Sequence, residues 1–113
     1  MVKNYIPKQG DIIYLDFNPT KGHEQKGKRP AIIISNNIFN QYTKMAIACP
    51  ISSNTKDFPT HYKLENTKKI QGSVLCEHIR SIDYKSRNVT FVEKASENDL
   101  ISVLLLSNAC FDN

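Results

Sequence analysis

Pro30-Ala31-Ile32-Ile33-Ile34-Ser35 is a β-branched, apolar run headed by a proline. Side chains alternate across a strand, so a segment apolar at successive positions must be covered on both faces. Residues 31–35 therefore read as a central strand that Pro30 introduces. Upstream, Gly10-Asp11 reads as a turn opening a first strand at residues 12–17. There Ile13, Leu15 and Phe17 share one face, Tyr14 and Asp16 take the other, and Pro19 ends the strand. Downstream, Asn36-Asn37 starts a polar connection through Asn40 that can include a helical turn. Residues 45–49 form another short apolar strand, stopped by Pro50. After a polar stretch from Ser52 to Asp57, residues 60–64 alternate, with Tyr62 and Leu64 inward and His61 and Lys63 outward. Residues 73–79 make a further strand and residues 88–93 the last.

The C-terminal segment differs. Ser96 is a good N-cap, and Asp99 three residues on is a carboxylate variant of the capping box. Leu100, Ile101, Val103, Leu104, Leu105, Leu106 and Ala109 then make a helix apolar nearly all round, which needs burial on more than one side. One small sheet seldom supplies that, so a second subunit is expected. Five or six short strands and one C-terminal helix give an α+β, mostly β domain: a small twisted antiparallel barrel with a C-terminal helix.

A chain of 113 residues is one domain, residues 1–113, with a core of modest size. The formal charge of +4 leans weakly toward anionic partners, nucleic acid or an acidic protein. Cys49, Cys76 and Cys110 are dispersed with no CxxC pair, which suggests reduced thiols and a cytoplasmic setting. The N-terminal residues lack the apolar run of a signal peptide, and no stretch is long and apolar enough to span a bilayer, so no membrane is expected.

Between the first two strands lies Thr20-Lys21-Gly22-His23-Glu24-Gln25-Lys26-Gly27-Lys28-Arg29. Its glycines let a ligand approach the backbone, and its cations attract a polyanion. His23 and Glu24 can each move a proton, Glu24 if its surroundings raise its pKa. The same composition suits phosphodiester chemistry, phosphate binding without chemistry, or a solvated hairpin loop.

Gly10-Asp11-Ile12-Ile13, Asp16-Phe17-Asn18-Pro19-Thr20-Lys21-Gly22-His23-Glu24-Gln25 and Lys28-Arg29-Pro30-Ala31 resemble the MazF/PemK toxins of bacterial toxin–antitoxin systems. Cys49-Pro50-Ile51-Ser52, Gly72-Ser73-Val74-Leu75-Cys76-Glu77 and Arg80-Ser81-Ile82-Asp83 follow in that family's order, so the likeness covers almost the whole chain. The resemblance implies an SH3-like barrel of the MazF/PemK/CcdB kind and a homodimer. It implies a sequence-specific endoribonuclease that cuts single-stranded mRNA without a metal or other cofactor. It also implies a MazE/PemI-like antitoxin whose acidic tail lies across the toxin.

Metal-free RNA cleavage uses the substrate's own 2′-hydroxyl as nucleophile. It needs a base, an acid for the departing 5′-oxygen, and donors for the charge on phosphorus. Arg29 matches the family's catalytic arginine, and its planar fork suits two phosphate oxygens. Ser52 matches a position commonly threonine, keeps the hydroxyl donor, and also suits a local turn. Glu24 and His23 match glutamate and histidine positions given acid–base roles in different branches, so one is expected in the chemistry and the other in positioning. Lys21, Gln25 and Lys28 are expected on the RNA. Glu77 shares a strand face with Leu75 and Ile79, which would raise its pKa or require a partner. It matches a position usually aspartate, so it is expected to read bases or serve structurally; where one branch has a functional arginine, this chain has Leu75. Cys76 and His78 share a strand face, a weak metal signal. Tyr14, Phe17 and Phe58 suit stacking on bases or a place in the core. Two other classes compete: a non-catalytic RNA- or peptide-binding module, and a CcdB-like gyrase poison. The second is disfavoured because the chain has no tryptophan.

Overall fold

The computed structural model describes residues 5–16 and 28–112. Gly10, at φ +92°, makes the turn that starts β1 (Asp11–Asp16). β2 (Lys28–Ile33) returns antiparallel beside it, with Ile12 opposite Ile32 and Leu15 opposite Arg29. A short helix, α1 (Asn37–Thr43), follows, its N-cap Asn36 accepting from the Phe39 N–H. β3 (Ala46–Ser52), β4 (His61–Lys63), β5 (Ser73–Leu75), β6 (Arg80–Ile82) and β7 (Thr90–Lys94) complete the sheet, and α2 (Glu97–Ala109) ends the fold.

All strand pairs are antiparallel, in the order β4-β5-β3-β2-β1-β7 with β6 beside β3. The path is open rather than a closed barrel: β4 and β7 are edges, not partners. Side chains bridge that gap instead. Glu93 on β7 accepts from the backbone N–H groups of Lys68, Lys69 and Ile70 in the β4–β5 connection, at 2.8–2.9 Å. Burial pushes its pKa up, but these donors outweigh burial and hold it below the ordinary carboxylate value. Asp99 on α2 is fully buried and accepts from the Tyr62 hydroxyl at 2.6 Å and the Asn66 N–H at 3.1 Å. Ser96 caps α2 as expected, accepting from the Asp99 N–H. The Asp99 carboxylate serves the neighbouring loop as well as lying in the helix's first turn.

The β2 segment is central as read, and both of its faces are covered. Ile12, Ile32, Cys49, Ile51, Val74 and Val103 form one cluster, and Ile13, Leu15, Ala31, Ile33, Ala48 and Ile82 the other. On α2, Val103 and Ser107 face the sheet, while Ile101 (47% exposed) and Leu105 (66% exposed) face outward.

Strand limits differ from those read in the sequence, most at two prolines and one broken strand. Pro30 lies within β2 and Pro50 within β3. The β2–β3 register ends at Ala31↔Pro50, and Pro50 falls between the β6-paired and β5-paired parts of β3, where a missing N–H costs least. The expected strand at residues 73–79 is broken. Three steps along β3, from Ile51 to Ala48, face six on its partner, from Val74 to Arg80. The surplus residues loop out between β5 and β6, and Glu77 stands on that loop.

Candidate active site

Strand register decides which side chains meet. Lys63, Ser73 and Ser52 lie opposite one another across β4, β5 and β3. The β2–β3 pairing ends at Ala31↔Pro50; Arg29 lies two residues beyond it on β2 and Ser52 two residues beyond it on β3, so strand alternation gives both the face of the second cluster. Arg80, opposite Ala48, shares that face. Arg29 and Arg80 line one small cleft with Pro30, Ala31, Ala48 and Pro50. A second open cavity, of about 330 Å³, runs from Ser53 past Lys63 and Glu65 to Gly72. A serine hydroxyl and an arginine thus share a strand face.

Ser52 Oγ accepts from the Asn54 N–H at 3.2 Å. This is the local turn that the sequence allowed. It orients the oxygen while leaving the hydroxyl's own proton to be donated elsewhere. Gly72, at φ +135°, closes against it: a Cβ there would sit 2.5 Å from the Ser52 carbonyl oxygen. Only glycine accepts both that angle and that approach.

Glu77 does not share a strand face with Leu75 and Ile79, because the chain leaves the strand after Leu75. It has partners instead. Its Oε1 accepts from the Thr60 hydroxyl at 2.6 Å and its Oε2 from His61 Nε2 at 2.9 Å. Burial raises its pKa, but the bonds from Thr60 and His61 outweigh burial and hold it below the ordinary carboxylate value. A carboxylate held ionised by two donors is a poor general base and a good acceptor. Cys76 and His78 do not share a strand face either: Cys76 is buried in the core and His78 is exposed on the loop. Burial pushes the Cys49 thiol up to about 11 and Cys76 to about 12. Among the described residues no group of three or more His, Cys, Asp or Glu is arranged to hold a metal.

Lys28 and Arg29 open β2, with Lys28 opposite Asp16. Lys21, His23, Glu24 and Gln25, together with Phe17, lie outside the described residues. Tyr14 packs against the first cluster, whereas Phe58 is exposed and its ring lies 5.1 Å from that of His61. His61, Thr60 and Arg80 were not picked out by sequence reasoning. The outward position of His61 in an alternating strand was the available signal, but that alternation does not show that outward means toward Glu77.

Residues 8–106 match the family model described as PemK-like, MazF-like toxin of type II toxin-antitoxin system. The endoribonuclease toxin MazF of Escherichia coli (strain K12) is 37% identical over 90 residues, 80% of each chain. The crystal structure of MazF (form I) from Deinococcus radiodurans is 34% identical, with a TM-score of 0.82 over 95% of this chain and 97% of that one. A MazE–MazF crystal structure (form II) from the same organism is 29% identical, with a TM-score of 0.82 over 95% and 96% of the two chains.

Proposed function

The chain belongs to the PemK-like, MazF-like toxins of type II toxin–antitoxin systems, and on that premise we propose that it is an endoribonuclease cutting single-stranded RNA at particular sequences. The observation that supports this reading is strand alternation, which gives Arg29 of β2 and Ser52 of β3 one sheet face, each two residues beyond the Ala31↔Pro50 pair. Arg29 holds the phosphate and stabilises the charge that develops as the 2′-hydroxyl attacks phosphorus. Ser52 donates its hydroxyl proton to a phosphate oxygen, its oxygen being oriented by Asn54. Of His23 and Glu24, one acts in proton transfer and the other positions RNA. Lys21, Gln25 and Lys28 hold the strand. The phosphorus–5′-oxygen bond breaks, giving a 2′,3′-cyclic phosphate and a 5′-hydroxyl, with no metal required.

The same reading makes the protein a homodimer through the exposed Ile101 and Leu105 of α2. It gives the toxin an antitoxin with an acidic tail, and a cytoplasmic setting that suits its free thiols. The relative from Deinococcus radiodurans described as MazE–MazF supports the antitoxin. The decisive experiment incubates the purified chain with a single-stranded RNA, in chelator, and maps both new ends. Cleavage should stop when one 2′-hydroxyl, at the cut, is replaced by hydrogen. RNA bound but left intact would favour a binding module instead.

A further inference from the structure

The surroundings of Glu77 are more elaborate than phosphodiester cleavage needs. His61 stands between two acceptors. Its Nε2 donates to Glu77 Oε2 at 2.9 Å, and its Nδ1 donates to the Lys56 carbonyl at 3.2 Å. A neutral imidazole carries one N–H and can satisfy only one of them. The arrangement therefore suits the doubly protonated ring. Partial burial disfavours that charge, but the bonds to Glu77 and Lys56 outweigh it, and the His61 pKa lies above its ordinary value. The Phe58 ring, 5.1 Å away, adds a favourable face for a cation.

Other groups also face this pair. Thr60 occupies Glu77 Oε1 from the residue beside His61. His78 Nε2 is 3.5 Å from Glu77 Oε2, on the loop's exposed side. The Cys49 and Cys76 thiols behind the loop stay neutral, pushed up to about 11 and about 12. An ionised carboxylate has about four lone-pair sites, more than the bonds from Thr60, His61 and the Glu77 backbone N–H use, which leaves acceptor lone pairs for a ligand. The Glu77 side chain is 31% exposed, so those lone pairs can be reached from solvent. His61 and Lys63 lie on one face of β4, and Lys63 is in line with Ser73 and Ser52.

We infer that His61 is a positioning residue for base recognition: its imidazolium holds Glu77 as an ionised, oriented acceptor that selects an amino-bearing nucleobase over uracil. Adenine, cytosine and guanine each present an exocyclic amino donor, whereas uracil offers a carboxylate only its N3–H, flanked by two carbonyl acceptors that repel it. This inference rests on the ribonuclease reading and names what the same surface selects.

The test uses a short single-stranded RNA with one mapped cut, and a set in which each neighbouring base is replaced in turn by uracil. For the wild-type chain, one such replacement should slow cleavage about tenfold or more, as expected for one lost base contact. His61→Gln keeps an N–H donor but no charge, and should shrink that preference to about threefold or less at pH 7. His61→Arg restores a cation with several donors and should recover it. The preference is a ratio, so the pH dependence of the chemical step cancels. It should fall in the wild type as pH rises through the His61 pKa, and stay level in His61→Arg.

Proton NMR of the RNA-free protein gives an independent reading. His61 should titrate above the ordinary 6.5 and move back toward it in Glu77→Gln. That titration and the wild-type preference profile decide the matter even if His61→Gln fails to fold. An unchanged preference in folded His61→Gln, a pH-independent preference in the wild type, or a His61 that titrates at or below its ordinary value overturns the inference. A wild-type chain that cuts no RNA overturns the ribonuclease reading and this inference with it. One that cuts RNA with the same preference in both proteins overturns this inference alone.

Discussion

Gly72→Ala is the substitution that most directly separates site geometry from stability. A Cβ at Gly72 would lie 2.5 Å from the Ser52 carbonyl oxygen, 2.9 Å from its carbon and 3.1 Å from the Ser53 Cα. All three are backbone atoms, so no rotamer change relieves the clash. Carbon–oxygen contacts settle at about 3.3–3.6 Å, so the end of β3 must retreat by roughly 1 Å. The φ of +135° adds strain of about 1–3 kcal/mol for any residue with a Cβ. With overpacking of similar size, the total destabilisation is about 2–6 kcal/mol. A displacement near 1 Å of a group that donates to the reacting phosphate costs up to about 100-fold in rate. Gly10→Ala is the matched control. Its φ of +92° is also strained, but its Cβ meets a side-chain atom, Leu100 Cδ2, at 3.2 Å, on α2 rather than beside Ser52. Urea unfolding would give both stabilities, and single-turnover cleavage would be measured where both variants are folded. Gly72→Ala should lose about 30–100-fold in cleavage, whereas Gly10→Ala should stay within about threefold. Full activity in folded Gly72→Ala, or an equal loss in Gly10→Ala, would refute the claim that Gly72 sets the position of Ser52.

Arg29→Ala should lower cleavage by at least about 100-fold with the unfolding midpoint nearly unchanged, and Arg29→Lys should recover little because one ammonium cannot reproduce the fork; gel-based cleavage of RNA with circular dichroism as the folding check reads both. Leu105→Lys should separate the dimer without unfolding the chain, since Leu105 is 66% exposed, whereas Leu106→Lys should unfold it, since Leu106 packs against the core. Two lost apolar contacts per symmetric dimer, at about 1.5–3 kcal/mol each, weaken association by roughly 100-fold or more, which sedimentation velocity resolves. Stability should fall on both sides of a window set by His61, Glu77 and Glu93. The two carboxylates are depressed, so their contribution is present above the ordinary 4.5 and lost as pH falls through their folded values. His61 is raised, so its contribution is complete below 6.5 and lost as pH rises through its folded value. Urea midpoints across pH should show the acid limb shrinking in Glu93→Gln and the shallower alkaline limb vanishing in His61→Gln.

Local pattern reached the elements whose signals are local. The apolar run in β2, the Gly10 turn and the Ser96 cap follow from neighbouring residues alone. Pro30 and Pro50 misled because a proline stops a strand only when its N–H is needed, and that depends on a partner strand. Asp99 fits a helix N-terminus by spacing, yet its carboxylate is used by Tyr62, 37 residues away. The largest miss was the strand at residues 73–79. No local feature reveals that β3 offers three positions where its partner brings six. With that loop-out unseen, Glu77 reads as an acid in an apolar strand rather than a paired one. Its partner His61 is 16 residues away, so the pair emerges only after folding. Arg29 and Ser52 were legible as chemistry through their family resemblance; their shared face follows from register.

The site and the sheet's irregularities are the same feature. A regular ladder engages backbone groups and sends alternate side chains to a core, leaving little that can meet a ligand. Here β3 passes from β6 to β5 around Pro50, and the surplus on the facing strand projects Glu77 out of the ladder. Two carboxylates hold the adjoining loop, one from β7 and one from α2: Glu93 and Asp99 bind the backbone of the β4–β5 connection. That connection carries Gly72, which closes on Ser52, and it joins the strands that hold His61 and Ser73. Anchoring the loop therefore anchors the surface to which Ser52 belongs. The apolar girth of α2 fits the same plan, since its inner side supplies Asp99 while Ile101 and Leu105 on its outer side stay exposed. Stability and function meet in the loop's backbone, so substitutions that free it should act on cleavage as well as on folding.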